Sequence, residues 1–163
     1  MKTTWAVVAD EAIARILQKP DEGGDLVPVE ELTDPDAHAR EGDLRRDAQG
    51  RRAGGSTQRR DGGRAPHALM SGANATASAG ESELHLEAQG FARQVAQRLK
   101  QLHQARRFEA LHLVAAPRFL GYLRKELDAE VERTVVGSLD KDLIHMSNAE
   151  ITQRLFPPRD SGA

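Results

Sequence analysis

Ala110-Leu111-His112-Leu113-Val114-Ala115 is an apolar run that ends at Ala116-Pro117, after which Phe119, Leu120, Leu123 and Leu127 recur at helical spacing. The pattern predicts a buried strand that delivers the chain straight into a helix. Pro117 lacks an amide hydrogen and has a preset φ, both suited to the first turn of a helix. A strand feeding a helix in this way marks a layered α/β domain.

The same reading extends along the chain. Trp5 to Ala9 is a first strand, with Trp5, Val7 and Ala9 on one face and Ala6 and Val8 on the other. Ile13 to Leu17 follows a tight turn at Asp10-Glu11. Ile13, Ile16 and Leu17 also fit a helix capped by Asp10, but a second strand is the preferred reading. Gly23-Gly24 within Pro20 to Asp25 makes a hairpin turn. Leu26, Val27, Val29 and Leu32 then predict a third strand, which Pro28 confines to an edge or irregular position. Glu83 to Arg106 is the clearest helix. Phe91, Val95, Leu99 and Leu102 form its apolar stripe, flanked by Ala88, Ala92 and Ala96, while Arg93, Gln97, Lys100 and Gln104 face solvent. Asp128-Ala129-Glu130 reads as a link, and Val131, Thr134, Val135 and Val136 as a fifth strand. Ser147-Asn148-Ala149-Glu150 is a capping box that opens a final helix through Phe156, ended by Pro157-Pro158. Three hairpin-linked antiparallel strands followed by two parallel crossovers, with helices, describe a ribonuclease H-like three-layer α/β domain with a mixed five-stranded sheet.

Composition narrows the chemistry. The 163 residues suit a single domain, and with only 4% aromatics its core must be aliphatic. The chain has no cysteine, which excludes disulfides, thiolate metal sites and cysteine nucleophiles. The few apolar residues before Asp10 do not make a secretory signal, and no run is long enough to span a membrane. The expectation is a soluble, cytoplasmic protein.

The net charge of −2 conceals a strong asymmetry. Asp21 to Asp36 holds seven acids and no base. Arg40 to Arg64 holds eight arginines against four acids, so that stretch is +4 and the remainder −6. Gly50 to Gly80 is rich in glycine and poor in large apolar residues until Leu69 and Met70. It is expected to be a mobile Arg/Gly-rich insertion, spanning about 40–80, or an arm that orders on a partner. A local excess of arginine is what a polyanion would sense.

Candidate catalytic patterns are thin. Two-metal nuclease chemistry needs carboxylates converging on cations about 4 Å apart. Asp10, at the end of the first strand, stands where one such acid would be, but the matching position on the fourth strand, near Ala115-Ala116, carries none. Asp10 therefore reads as a turn former. Glu83 and Glu87 read as a helix first turn complementing the dipole. His38, His67, His85, His103, His112 and His145 form no HxxxH or HExxH pattern, and Ser56, Ser71 and Ser82 lie outside any GxSxG elbow. No cofactor or metal site is expected. Gly54-Gly55-Ser56-Thr57-Gln58-Arg59-Arg60 is the most suggestive loop, because glycines let backbone approach a phosphate and arginines contact it bidentately. It lacks the lysine and spacing of a P-loop and any aromatic for base stacking, so binding there would run through phosphates and depend on salt.

The Trp5-Ala6-Val7-Val8-Ala9-Asp10 opening, the central Arg/Gly segment, Phe91, the run from Val114 to Arg124 and Lys141-Asp142-Leu143 together resemble the bacterial host attachment proteins, described as required for attachment to host cells. The resemblance spans nearly the whole chain, and Ala116-Pro117-x-x-Leu120-Gly121-x-Leu123-Arg124 is its most specific motif. That family is in turn similar to the middle domain of archaeal and eukaryotic peptide-chain release factors, whose Gly-Gly-Gln loop positions water against the peptidyl-tRNA ester. Here Ser56-Thr57 separate Gly54-Gly55 from Gln58, so the tripeptide is broken.

These readings converge on a non-catalytic binding protein that contacts RNA or the ribosome through Arg45, Arg46, Arg51, Arg52, Gly54, Gly55, Gln58, Arg59, Arg60 and Arg64. Two alternatives stand beside it: a release-factor-like esterase acting on peptidyl-tRNA through Gln58, and a protein–protein adaptor in host-cell attachment.

Overall fold

The structure, a computed structural model, describes residues 2–36 and 72–159, with side chains described from Gly80 in the second range. The strands are β1 (Thr4–Ala9), β2 (Ile13–Gln18), β3 (Val27–Thr33), β4 (Ala110–Ala115) and β5 (Val135–Leu139). They form one mixed sheet in the order β3-β2-β1-β4-β5. β2 runs antiparallel to β1 and to β3, whereas β4 runs parallel to both β1 and β5. This is the sheet that the hairpin-then-crossover reading requires. The helices are α1 (Gly72–Gln104), α2 (Pro117–Glu126), α3 (Ala129–Thr134) and α4 (Asn148–Leu155).

The chain divides into two compact units, Met1–Asp34 with Ala88–Ala163, and Pro35–Glu87. The larger unit contains the sheet and its two cores. On one face Trp5, Val7, Ile16, Leu111 and Leu113 pack with Phe91, Val95 and Leu99 of α1, Phe119 and Leu123 of α2, and Val131 of α3. On the other, Ala6, Val8, Leu17 and Val114 pack with Leu26, Leu143, Ile144 and Ile151 of α4. With both faces covered, β1 is buried from Trp5 to Ala9, which explains its unbroken apolar run. Trp5 lies against Phe108 with ring centroids 5.3 Å apart. In the smaller unit, the described residues include the opening turns of α1, where Leu84 and Leu86 are exposed.

Proline and glycine act as their positions imply. β3 is an edge strand, as Pro28 required. Pro28 pairs with Leu17 and Glu30 with Ile16, which leaves Val29 as the extra residue of a bulge. Gly23 and Gly24 take φ of 84° and 102° in the β2–β3 turn, a conformation that side-chain-bearing residues adopt only with strain.

Three expectations are corrected. The fifth strand does not include Val131 or Thr134: Ala129–Thr134 is helical and β5 begins at Val135. Asp128 is no mere link but the cap of α3, its side chain accepting from the Glu130 amide at 3.1 Å. Val131, fully buried, faces the first core, and the Thr134 hydroxyl donates back to the Val131 carbonyl at 2.6 Å. Burial of one valine and a good cap outweigh the β-branched composition that suggested a strand. The long helix begins at Gly72 rather than Glu83 and ends at Gln104. Glu83 and Glu87 are therefore interior helical residues, and Gly72–Gly80, expected to be loosely structured, is helical. Just past the helix, Arg106 reverses the chain at φ 54°.

Candidate functional site

In open α/β sheets a crevice forms outside the carboxyl ends of the parallel strands, where successive connections leave in opposite directions. That point lies here between β1 and β4. The chain leaves β1 toward β2 on one side and leaves β4 through α2 and α3 toward β5 on the other. A cleft of about 300 Å³ occupies the position, lined by Asp10, Glu11, Ala12, Ala116, Arg118, Phe119 and Asp142.

Asp10 Oδ1 accepts from the amides of Ala12 at 2.8 Å and Ile13 at 2.7 Å, while its own amide donates to the Ile13 carbonyl at 2.9 Å. It is the turn former the sequence implied. Asp142 Oδ1 accepts from the Ile144 amide at 3.2 Å, shaping the loop after β5 in the same manner. Arg118 sits exposed in the first turn of α2, whose cap position, Ala116, provides no side-chain acceptor. The fourth-strand position that a two-metal nuclease would fill is Ala115-Ala116 here too. Among the described residues, no group of three or more His, Asp or Glu is placed to hold a metal ion.

The loop bearing Asp142 is held from β2. Arg15 Nη1 donates to the carbonyls of Ile144 at 3.1 Å and Met146 at 2.9 Å, and Nη2 donates to Asn148 Oδ1. Other basic side chains of this unit are likewise engaged internally. Arg98 pairs with Glu30 at 2.9 Å, Lys100 with Asp128 at 2.9 Å and Arg93 with Glu126 at 3.3 Å, while Arg124 donates to Ser138 Oγ. The Lys100 ammonium, and then the Glu130 amide, hold the Asp128 carboxyl below its usual range.

Asp10 is the cleft residue that its place at a strand end marked in advance. Glu11, Arg118 and Asp142 stood out in the sequence only as parts of a turn or of the family motif, although each lies in the short segment just beyond a strand, a signal that marks them as site candidates. The arginine-segment residues Arg45, Arg46, Arg51, Arg52, Gly54, Gly55, Gln58, Arg59, Arg60 and Arg64 lie outside the described residues.

Fold and site define an α/β protein whose three parallel strands open onto a small cleft of mixed charge. Residues 5–155 match the family described as protein required for attachment to host cells, and the chain belongs to that family. No curated protein matches it. Among the described residues, no helix is long and apolar enough to cross a membrane.

Proposed function

We propose that the protein is a non-catalytic RNA-binding member of the host attachment family, gripping RNA, ribosomal RNA included, through Arg40 to Arg64. The observation that carries this reading is the segregation of charge, +4 in that stretch against −6 elsewhere. The pairing of Arg15, Arg93, Arg98 and Lys100 within the larger unit supports it, because those cations already have partners. With no aromatic between Arg40 and Arg64, recognition runs through phosphates and is salt-sensitive. A part in host attachment would then be indirect, exerted through RNA or the ribosome.

The sheet order also agrees with the ribonuclease H-like topology, and hence with a relation to the release-factor middle domain. The interrupted Gly54-Gly55-Ser56-Thr57-Gln58 favours binding over ester hydrolysis.

The test is co-sedimentation with ribosomes, and binding of a generic single-stranded RNA, across a salt series. Reversing charge at Arg51, Arg52, Arg59 and Arg60 should abolish low-salt binding, and replacing the same four by glutamine should weaken it and lower the salt slope by about 3. Unchanged binding overturns the proposal. Peptidyl-tRNA hydrolysis that Gln58→Ala removes would establish the esterase instead.

A further inference from the structure

His112 stands in the middle of β4 on the sheet face covered by α4, opposite Ala6 of β1 and Gly137 of β5. Its imidazole leans over Gly137 so closely that a Cβ there would lie 3.0 Å from Nδ1. The rings of Phe156 and His112 meet nearly at right angles, with centroids 4.9 Å apart and planes at 81°. Lys19 Nζ sits 4.3 Å from the centroid of the same phenyl ring. Phe156 thus has an imidazole and an ammonium as neighbours, and as the C-terminal cap of α4 its amide donates to the Thr152 carbonyl at 2.8 Å.

We propose that His112, Phe156 and Lys19 form an acid-sensitive latch that docks the C-terminal end of α4 on the sheet. Neutral imidazole packs on the phenyl ring as one aromatic on another. Imidazolium would stand near the Lys19 ammonium on the same phenyl ring, a like charge, in a half-buried place where charge is poorly solvated. Burial first, and Lys19 second, hold the His112 pKa below its usual value. Among the described residues, the neighbouring elements offer no compensating charge: β1 presents Ala6 and β5 presents Gly137, while Glu150 and Arg154 of α4 are exposed.

The opposite end of α4 is held without His112. Arg15 bonds Asn148, and Ser147 and Glu150 close a capping box in which the Glu150 carboxylate accepts from the Ser147 amide at 2.9 Å. Acid therefore frees α4 from its Phe156 end, loosening the partly buried Leu155 and Phe156 from the second core. This inference is independent of the RNA-binding reading.

The experiment is hydrogen exchange on the full chain at about pH 7.5 and about pH 5, corrected for intrinsic rates, with NMR titration of His112. Protection of the amides of residues 152–156 should fall at the lower pH while that of Val95 to Leu99 in α1 holds. A tenfold difference in proton affinity between docked and undocked forms gives at most about a tenfold loss of protection. His112→Gln should abolish the fall. Lys19→Gln, at a partly exposed position, should raise the His112 titration toward its ordinary value and shrink the fall. Protection at 152–156 that ignores pH, or a fall that persists in His112→Gln, overturns the latch. If His112→Gln does not fold, a Lys19→Gln protein with unchanged titration and unchanged fall overturns it as well.

Discussion

The Arg15 guanidinium on β2 donates to the Met146 carbonyl at 2.9 Å, joining residues 131 positions apart in the chain. The same side chain also reaches Ile144 and Asn148, so one residue fixes both the loop after β5 and the start of α4. That loop carries Asp142 into the cleft. A strand residue close in sequence to Asp10 and Ala12 thereby anchors the distant loop that brings Asp142 beside them.

Arg15→Met should lower stability by about 1.5–3 kcal/mol, because part-buried carbonyls lose a charged donor. Urea unfolding followed by fluorescence of Trp5, the single tryptophan and fully buried, reads the change directly. Arg15→Lys should recover only part of it, since an ammonium cannot reproduce the planar fork. An unaltered urea midpoint in Arg15→Met would mean that water replaces the guanidinium.

Asp10→Ala should cost about 1–2 kcal/mol, for two turn amides lose their acceptor. Asp10→Asn keeps an oxygen in place and should stay near the parent. The same unfolding assay separates the two. Equal losses in both variants would show that the negative charge, rather than the turn, is what the position requires.

Gly137→Ala should destabilise by about 1–3 kcal/mol, since the added methyl meets His112 Nδ1 at 3.0 Å. In a His112→Ala background the penalty should largely disappear. Thermal melts of the four proteins form a double-mutant cycle, and additive effects would mean that the two side chains do not meet.

Two capping carboxylates predict the acid limb of stability. Hydrogen bonds from the Ser147 amide and then its hydroxyl hold Glu150 below its ordinary 4.5, and Lys100 and then the Glu130 amide hold Asp128 below its ordinary 3.8. A lowered carboxylate contributes stability above its unfolded value and loses it as pH falls through its folded value. Loss therefore begins below about pH 4.5 and ends under both folded values. Glu150→Gln and Asp128→Asn should each flatten that limb while changing little at its acid end. Ser147→Ala, which removes the cap of α4, should lower the melting temperature by about 2–4 °C. Denaturant titrations at stepped pH check the series.

Local patterns written in adjacent residues were legible before any coordinates. Trp5 to Ala9 is apolar on both faces because it is buried on both. Pro28 marked an edge or irregular position and stands on an edge strand beside a bulge, Pro117 suited a helix start and opens one, and Ser147 with Glu150 closes the capping box its spacing describes. Val131 and Thr134 were misread because β-branched side chains prefer strands in isolation, whereas one fully buried valine and the Asp128 cap decide for a helix here. The onset of α1 was missed because Gly72–Gly80 offers small and polar residues without an apolar stripe.

The amino-acid sequence by itself determined the class of fold, the charge segregation and the family, because periodicity, proline placement and motif spacing are properties of neighbouring residues. Tertiary structure alone decided the cleft of Asp10, Arg118 and Asp142, the reach of Arg15 to Met146 and the meeting of His112 with Phe156. Those relations join residues scores of positions apart, and only the parallel crossovers and the packing of α4 on the sheet bring them within contact distance.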